Sequence, residues 1–266
     1  MKLQRRNKKA KIIIMTATVV LLLMAFMQNT YAEPVIPGRV EINIDSADSP
    51  QETASSIKML LLLTVLSLAP SILIMMTSFT RIIIILSFLR NALGTQQVPP
   101  NQVLIGLALF ITFFVMNPVL TEINNTAFQP LTNGEITQQE AIDKSSMSIK
   151  KFMVNQIMIN NREKDLALFI SLSGADYPES REDAEKLPLN IVVPAFLVSE
   201  LTTAFKIGFL IFIPFLVIDM IVSSTLMSMG MMMLPPVMIS LPFKILLFIM
   251  VDGWNLTVQS IIKSFY

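Results

Sequence analysis

The chain has 266 residues, of which 53% are hydrophobic and 15% are charged, whereas a typical soluble domain is about 25% charged, so the composition excludes a soluble globular protein. The net charge of +1 gives no attraction for nucleic acid, and without histidine or cysteine the chain lacks the commonest general base, metal ligand and thiol nucleophile. We therefore predict no enzyme, metal, cofactor or nucleic-acid partner.

The N-terminus has the three parts of an export signal. Six lysines and arginines precede residue 12, residues 12–27 form a 16-residue apolar core, and Thr30 and Ala32 place small residues at positions −3 and −1 of a cleavage site. Because the core is short for a membrane span of about 20 residues, cleavage is favoured over an uncleaved anchor. We predict a signal peptide over residues 1–32, cleaved after Ala32, and a mature chain that begins outside the cytoplasm at Glu33.

The next two segments differ sharply in polarity. Residues 33–57 are polar and contain three prolines, which predicts an exposed N-terminal segment. Residues 58–123 are predicted to form an apolar helical hairpin with a turn at 91–102. Its apolar blocks are residues 59–77, interrupted by Pro70, residues 82–89, bracketed by Arg81 and Arg90, and residues 103–120, kinked or ended near Pro118.

Residues 124–188 are richer in charge than the apolar hairpin before them, and we predict that they form a helical insertion. The stretch 135–186 carries 17 of the 39 charged residues of the chain. Apolar residues recur within it at near-helical spacing, which predicts two amphipathic helices at about 138–160 and 162–173, followed by a charged loop at 176–186. Mixed charges at this spacing indicate a solvated face over a small core.

The last segment, 189–266, is predicted to be a second apolar hairpin with a methionine-rich loop at 227–236. Five of the seven residues from 227 to 233 are methionine, and residues 223–236 carry no charge, although a loop between membrane spans normally meets water. Methionine is flexible and repacks around changing neighbours. We expect the loop either to be hidden inside an assembly or to close around something of variable shape. The alternative is that these methionines only fill a core.

Ionisable residues interrupt the two apolar runs of this hairpin at Glu200, Lys206, Asp219, Lys244 and Asp252. A charge at mid-membrane costs roughly 2.5–3.5 kcal/mol on insertion scales, so such residues are usually paired, turned inward or functional. Their charges nearly cancel, which favours pairing between helices or subunits over a proton or ion relay. We predict that Glu200 pairs with Lys244, with Lys206 or Asp219 as alternative partners, and that Arg81 and Arg90 belong to the same set of interhelix or intersubunit charges.

The signal peptide sets the predicted topology. With Glu33 outside, the block at 59–77 runs inward, Arg81 and Arg90 lie on the cytoplasmic side, and the block at 103–120 runs outward. The insertion at 124–188 is then periplasmic. Because the inner loops hold only those two arginines, the positive-inside rule is a weak check of this orientation.

Two sets of motifs resemble the signatures of one known family. Residues 78–81, 86–97 and 99–104, which read SFTR, LSFLRNALGTQQ and PPNQVL, are similar to the first signature of the FliP family, the flagellar members of the type III secretion export-gate proteins. Residues 193–209, 227–236 and 241–244, which read VPAFLVSELTTAFKIGF, MSMGMMMLPP and LPFK, are similar to the second. The resemblance runs from about residue 58 to the last residue.

The resemblance implies the core of a protein-conducting export gate. In the family, several copies, a pentamer, stack with FliQ and FliR into a helical, ring-like complex, and FlhB, FlhA and FliO are further expected partners. Much of the apolar surface is buried between subunits, the complex is raised towards the periplasmic side, and the methionine loops converge on the pore axis as a gasket. Carried onto this chain, that gasket consists of Met227, Met229, Met231, Met232 and Met233.

We therefore predict an all-α protein of the bacterial inner membrane and flagellar basal body, in contact with lipid and with much of its mass on the periplasmic side. Its predicted function is to form the pore that passes unfolded flagellar subunits across the membrane, in a flagellar rather than a virulence system. A small-solute or ion transporter is the first alternative, because Glu200 and Asp219 lie near prolines in apolar runs. An intramembrane enzyme is disfavoured by the absence of histidine and cysteine.

Overall fold

The structure of the protein, a computed structural model, describes residues 50–95, 97–231 and 234–266, with the backbone alone at residues 50–56 and 73. Three predicted features therefore lie outside the described residues. They are the signal peptide with its cleavage point between Ala32 and Glu33, most of the polar N-terminal segment, and the methionines Met232 and Met233.

The part of the chain that the structure describes is all-helical, as the sequence predicts, and contains no strand. The helices are α1 (Pro50–Met75), α2 (Phe79–Ala92), α3 (Asn101–Ile123), a π-helical turn (Asn124–Phe128) that leads into α4 (Gln129–Thr132), α5 (Gln138–Ile159), α6 (Glu163–Ser173), α7 (Arg181–Lys186), α8 (Leu189–Ser228), α9 (Pro236–Met250) and α10 (Gly253–Lys263). The apolar block that was expected to kink or end near Pro118 continues through it to the end of α3.

The insertion contains the two amphipathic helices that the sequence predicts, as α5 and α6. Thr137 begins α5 with a capping box: its hydroxyl accepts the Glu140 backbone N–H at 3.3 Å, and its own N–H donates to the Glu140 carboxylate at 2.8 Å. The prediction of a loop over 176–186 was wrong in its second half, where α7 forms. The Ser180 hydroxyl accepts the Asp183 backbone N–H at 3.1 Å, and this cap starts the short helix.

The long helix α8 is the element that the rest of the fold packs on. Its 40 residues run without a break through Pro194 and Pro214, which at 1.5 Å per residue gives a length of about 60 Å. Its first turns share a buried cluster with α5 and α6, in which Met153 and Ile157 pack with Val192 and Phe196. The insertion is therefore joined to α8 by a common core, and residues 58–266 form one compact unit.

Contacts along α8 fix the direction of its neighbours. Arg81 meets Glu200, and Phe88 meets Phe205 and Gly208 further along. Because residue numbers rise together in both helices, α2 and α8 run in the same direction. The direction of α9 is opposite, since Lys244 pairs with Asp219 while the later Phe248 packs near the earlier Phe215.

Among the residues that the structure describes, two helices are long and apolar enough to cross a membrane, judged by length and composition alone: the continuous helical segment Asn101–Thr132 and α8. The pair α9 and α10, bent by 67° at residues 251–252, gives a third span if it is counted as one broken helix. The apolar part of α1, Ile57–Ile72, is shorter.

Candidate functional site: a methionine loop and buried ion pairs

The methionine loop begins with a tightly defined end of α8. The N–H of Met231 donates to the carbonyl of Leu226 and that of Gly230 to Met227, both at 3.0 Å. This pair of bonds is a Schellman motif, which requires a left-handed residue after the helix, and Gly230 supplies it at φ +78°. On the far side, Pro235 and Pro236 start α9 with fixed φ angles. Both ends of the loop are thus conformationally restricted.

The methionines at this tip are exposed within the single chain. Met227, which lies in the last turn of α8 rather than in the loop proper, is 61% exposed, Met229 is 62% exposed and Met231 is 39% exposed. Their neighbours Leu234 and Met238 are exposed as well. Exposed, uncharged, apolar side chains of this kind are suited to contact with other protein or with lipid.

A buried ion pair joins α2 to α8. Arg81 and Glu200 are both 0% exposed. The Arg81 Nε donates to Glu200 Oε2 at 2.8 Å, and Nη2 donates to Oε1, so the pair is bidentate. A buried charge is tolerated only when it is paired and hydrogen-bonded, and this pair therefore fixes how α2 lies on α8.

The remaining donors of Arg81 reach two other elements. Nη1 donates to the Ser264 carbonyl at 2.6 Å, and Nη2 donates to Gln156 Oε1 of α5 at 3.2 Å. The Gln156 amide in turn donates to the Phe265 carbonyl at 3.0 Å, and the Phe265 ring lies 4.0 Å from the guanidinium carbon. One arginine thus ties α2, α5, α8 and the segment after α10 together.

The second ion pair lies further along α8, towards the methionine loop. Lys244 of α9 is nearly buried and donates to Asp219 Oδ2 at 2.7 Å, and the Ser240 hydroxyl donates to Oδ1 at 2.6 Å. Gly94, at φ +75° after α2, lies against this lysine, since a Cβ built there would be 3.8 Å from Nζ. The predicted pairing of Glu200 with Lys244 was therefore wrong: each has a different partner within the chain.

The other two charges predicted for this set are placed differently. Arg90 donates to the side chain of Asn101 across the turn between α2 and α3. Lys206 is exposed on α8 and has no ion pair among the residues that the structure describes. Within those residues, no group of three or more acidic side chains is arranged to hold a metal ion.

The geometry links the two sequence motifs that resemble one family. Arg81 of the first motif pairs with Glu200 of the second, and Gly94 of the first lies against Lys244 of the second. The sequence profile of the FliP family matches residues 62–261, more than half of the chain. The chain belongs to the FliP family.

Several FliP proteins are similar to this chain over most of their length. The flagellar biosynthetic protein FliP of Bacillus subtilis (strain 168) is 60% identical over 224 residues, covering 84% of this chain and 98% of the relative. The protein of the same name from Pectobacterium carotovorum is 52% identical over 216 residues, 81% of each chain. That of Aquifex aeolicus is 49% identical over 211 residues, 79% of this chain and 86% of the relative.

Sequence reasoning missed one further buried pair in this FliP-family chain. Arg162 donates to both carboxylate oxygens of Asp165 at 2.6 and 2.8 Å, and to the Thr202 hydroxyl at 3.1 Å. The spacing of opposite charges three residues apart at the start of α6 was a signal for the ion pair. Nothing in the sequence indicated Thr202, which lies 40 residues further along the chain.

Proposed function

We propose that this chain is the pore-forming core subunit of the flagellar type III protein export gate, through which unfolded flagellar subunits cross the inner membrane. Membership of the FliP family supports the flagellar system, because the relatives are named flagellar biosynthetic proteins. The observation that carries the pore function is the methionine tip. Met227, Met229 and Met231 are exposed and uncharged, and the ends of their loop are fixed by Gly230 and the two prolines.

A gasket needs soft side chains on firm supports. A pore wide enough for an unfolded polypeptide leaks ions unless something fills it at rest. Thioether side chains can pack on each other in the empty pore and repack around different side chains in transit. The Schellman motif at Gly230 and the start of α9 at Pro236 hold the backbone while the side chains remain free to rearrange. Met232 and Met233 are included in this proposed gasket on the resemblance alone.

The apolar surface of the chain supports assembly. Phe110 and Phe113 of α3 and Phe209 of α8 are all more than half exposed. Such faces must be covered by lipid or by protein. We propose that several copies, a pentamer, stack with FliQ and FliR into a helical ring, that FlhB, FlhA and FliO are further partners, and that the insertion at 124–188 faces the periplasm in the basal body.

The transporter alternative rested on Glu200 and Asp219 as carboxylates available to a solute, and neither carboxylate is free. Glu200 is enclosed by Arg81, and Asp219 is held by Lys244 and Ser240. A transported ion or solute would need one of these carboxylates to exchange partners, and both are already engaged within the chain.

The test is complementation of a strain that lacks the chain's own gene. The wild-type chain should restore secretion of flagellar subunits into the medium and swimming in soft agar. Uptake of labelled solutes should stay unchanged between the deleted and complemented strains. Normal flagellar secretion in the deleted strain, or a change in solute uptake alone, would contradict the proposed function.

A further inference from the structure

The exposed cation Lys206 lies on an apolar face of α8 that nothing in the described chain covers. Leu210, Ile213 and Val217 follow it at intervals of four, seven and eleven residues, so they share its face of the helix, and all three are exposed. The buried residues Ala204, Gly208 and Phe215 mark the opposite face, which packs on the rest of the chain. Lys206 therefore points outward from a surface that is suited to contact with protein or lipid.

The exposed anion Asp252 lies in a second apolar surface, at the bend between α9 and α10. It has a left-handed backbone, with φ 52° and ψ 53°, and precedes α10 without making a side-chain capping bond. Met250, Val251 and Trp254 around it are exposed. Like Lys206, it has no ion pair among the described residues. Its carboxylate is therefore presented outward with its acceptor sites available.

The two charges lie at neighbouring levels along α8. Val251 and Gly253, on either side of Asp252, line one groove with Ile211 and Pro214 of α8. Lys206 precedes Ile211 by five positions and Pro214 by eight, which corresponds to about 8–12 Å along the axis of α8. The flexible four-carbon stem of lysine covers part of this offset. In a contact between two copies, a displacement of one copy along the assembly axis would cover the remainder.

We propose that Lys206 of one copy of this chain forms an ion pair with Asp252 of the next copy. The pair rests on the assembly of several copies proposed above and deepens it by naming the contact between them. Two different surfaces meet in such an interface, so it is heterologous and generates a ring or a helical stack rather than a two-fold dimer. The complementary charges orient one copy on the next, because unlike charges fix the register of an interface and like charges oppose a wrong one.

Two other occupants can be separated from a second copy by experiment. A lipid phosphate can accept from Lys206 but leaves Asp252 unpaired. An acidic side chain of a different protein does the same. A second copy of this chain satisfies both charges with a single repeated contact.

The first test is crosslinking between copies, for which the absence of cysteine gives a clean background. Two differently tagged full-length chains, one with Lys206→Cys and the other with Asp252→Cys, are expressed together with the partner genes in a strain lacking the native gene. A short bis-maleimide should give a product that carries both tags. Either variant expressed alone should give no crosslinked dimer. Lys164→Cys, an exposed position on α6, replaces Lys206→Cys as the control and should not crosslink to Asp252→Cys.

The second test exchanges the charges. Lys206→Asp and Asp252→Lys should each lower the yield of assembled complex about tenfold or more, because truncating or reversing one partner of a desolvated interfacial pair is costly. The two changes in one chain should restore most of the yield. Lys206→Gln, which removes the charge with little change in length, should give a smaller loss.

The outcomes separate this inference from the proposed function. If wild-type complexes assemble and export, yet no product carries both tags, the Lys206–Asp252 contact is wrong while the gate function stands. A Lys206→Cys product with a different protein, or failure of the double exchange to recover assembly, also overturns the contact. Absence of any oligomer from the wild-type chain, with secretion unaffected by its deletion, would overturn both.

Discussion

The Arg81–Glu200 pair predicts that the double variant with both residues replaced is more stable than a variant with one replaced. Independent contacts, whose losses add, would predict the opposite. In Glu200→Met, the guanidinium of Arg81 keeps its bonds to Ser264 and Gln156 but loses its counter-charge. In Arg81→Met, the buried carboxylate is left alone, and the Ser264 carbonyl and Gln156 Oε1 also lose their donor. Removing one partner of a buried pair costs about 3–5 kcal/mol, and each orphaned acceptor adds up to about 1–3 kcal/mol. Both single variants should therefore be less stable than the wild type, and Arg81→Met also carries the cost of the two orphaned acceptors.

The double variant Arg81→Met/Glu200→Met should be more stable than Arg81→Met alone. Replacing both members of a buried pair by apolar residues is often close to neutral, so the double variant retains only the cost of the two orphaned acceptors. The gain on adding the second substitution should be at most about 3–5 kcal/mol, because a buried carboxyl group without a counter-charge lowers its own cost by taking up a proton. For a chain of this size, that upper limit corresponds to a rise in Tm of roughly 6–20 °C.

The assay is thermal unfolding of the purified protein in detergent, followed by the fluorescence of Trp254. This is the single tryptophan of the chain, and its ring packs edge-on against Phe248 at 5.5 Å. Glu122→Gln, which breaks the exposed pair with Lys151 at 3.3 Å, is the matched control and should change stability by less than about 1 kcal/mol. A double variant as unstable as Arg81→Met, or less stable, would refute the assignment of a buried charge pair.

Three further predictions concern packing, the pore and processing. A Cβ at Gly208 would lie 2.6 Å from the ring of Phe88, so Gly208→Ala should lower the Tm through overpacking that costs about 1–3 kcal/mol. Gly106→Ala, where a Cβ meets nothing within 4 Å, should not lower it. Replacement of residues 231–233 together by Ala should leave assembly intact but make cells permeable to small ions, and Leu should leak less; a tight triple-Ala gate with normal export would make these methionines ordinary packing. N-terminal sequencing of the membrane-bound protein should begin at Glu33, and a retained first residue would contradict the predicted topology.

Local structure in this chain follows closely from local sequence. The apolar spacing that predicts helices at 138–160 and 162–173 corresponds to α5 and α6, because periodicity and capping are properties of neighbouring residues. The missed helix α7 also had a local signal, since Ser180 with Asp183 three positions on is a capping pattern. The density of charge at 176–186 favours a loop, and the prediction of a loop there did not use the capping pattern.

Pairing between distant residues could not be read in the same way. The sequence shows that Glu200 and Lys244 need partners, but it does not show which faces meet. Only the parallel placement of α2 along α8 brings Arg81 to Glu200, and only the reversed course of α9 brings Lys244 to Asp219. The number of possible pairs among such charges exceeds what hydropathy and charge balance can distinguish.

Because α8 is one continuous helix, it connects the insertion at its first turns to the methionine tip at its last turn. Its first turns pack in the buried cluster that contains Phe196, and its last turn contains Met227. Pro214 has no N–H to offer the carbonyl of Leu210, so bending is easiest there. The arm from Pro214 to the end of the helix at Ser228 is about 21 Å long, and a tilt of about 5° at the proline displaces the tip by about 2 Å. If the proposed gate is right, small rotations about Pro214 in each copy would let the methionine loops move apart around a polypeptide, while the insertion at 124–188 stays in place.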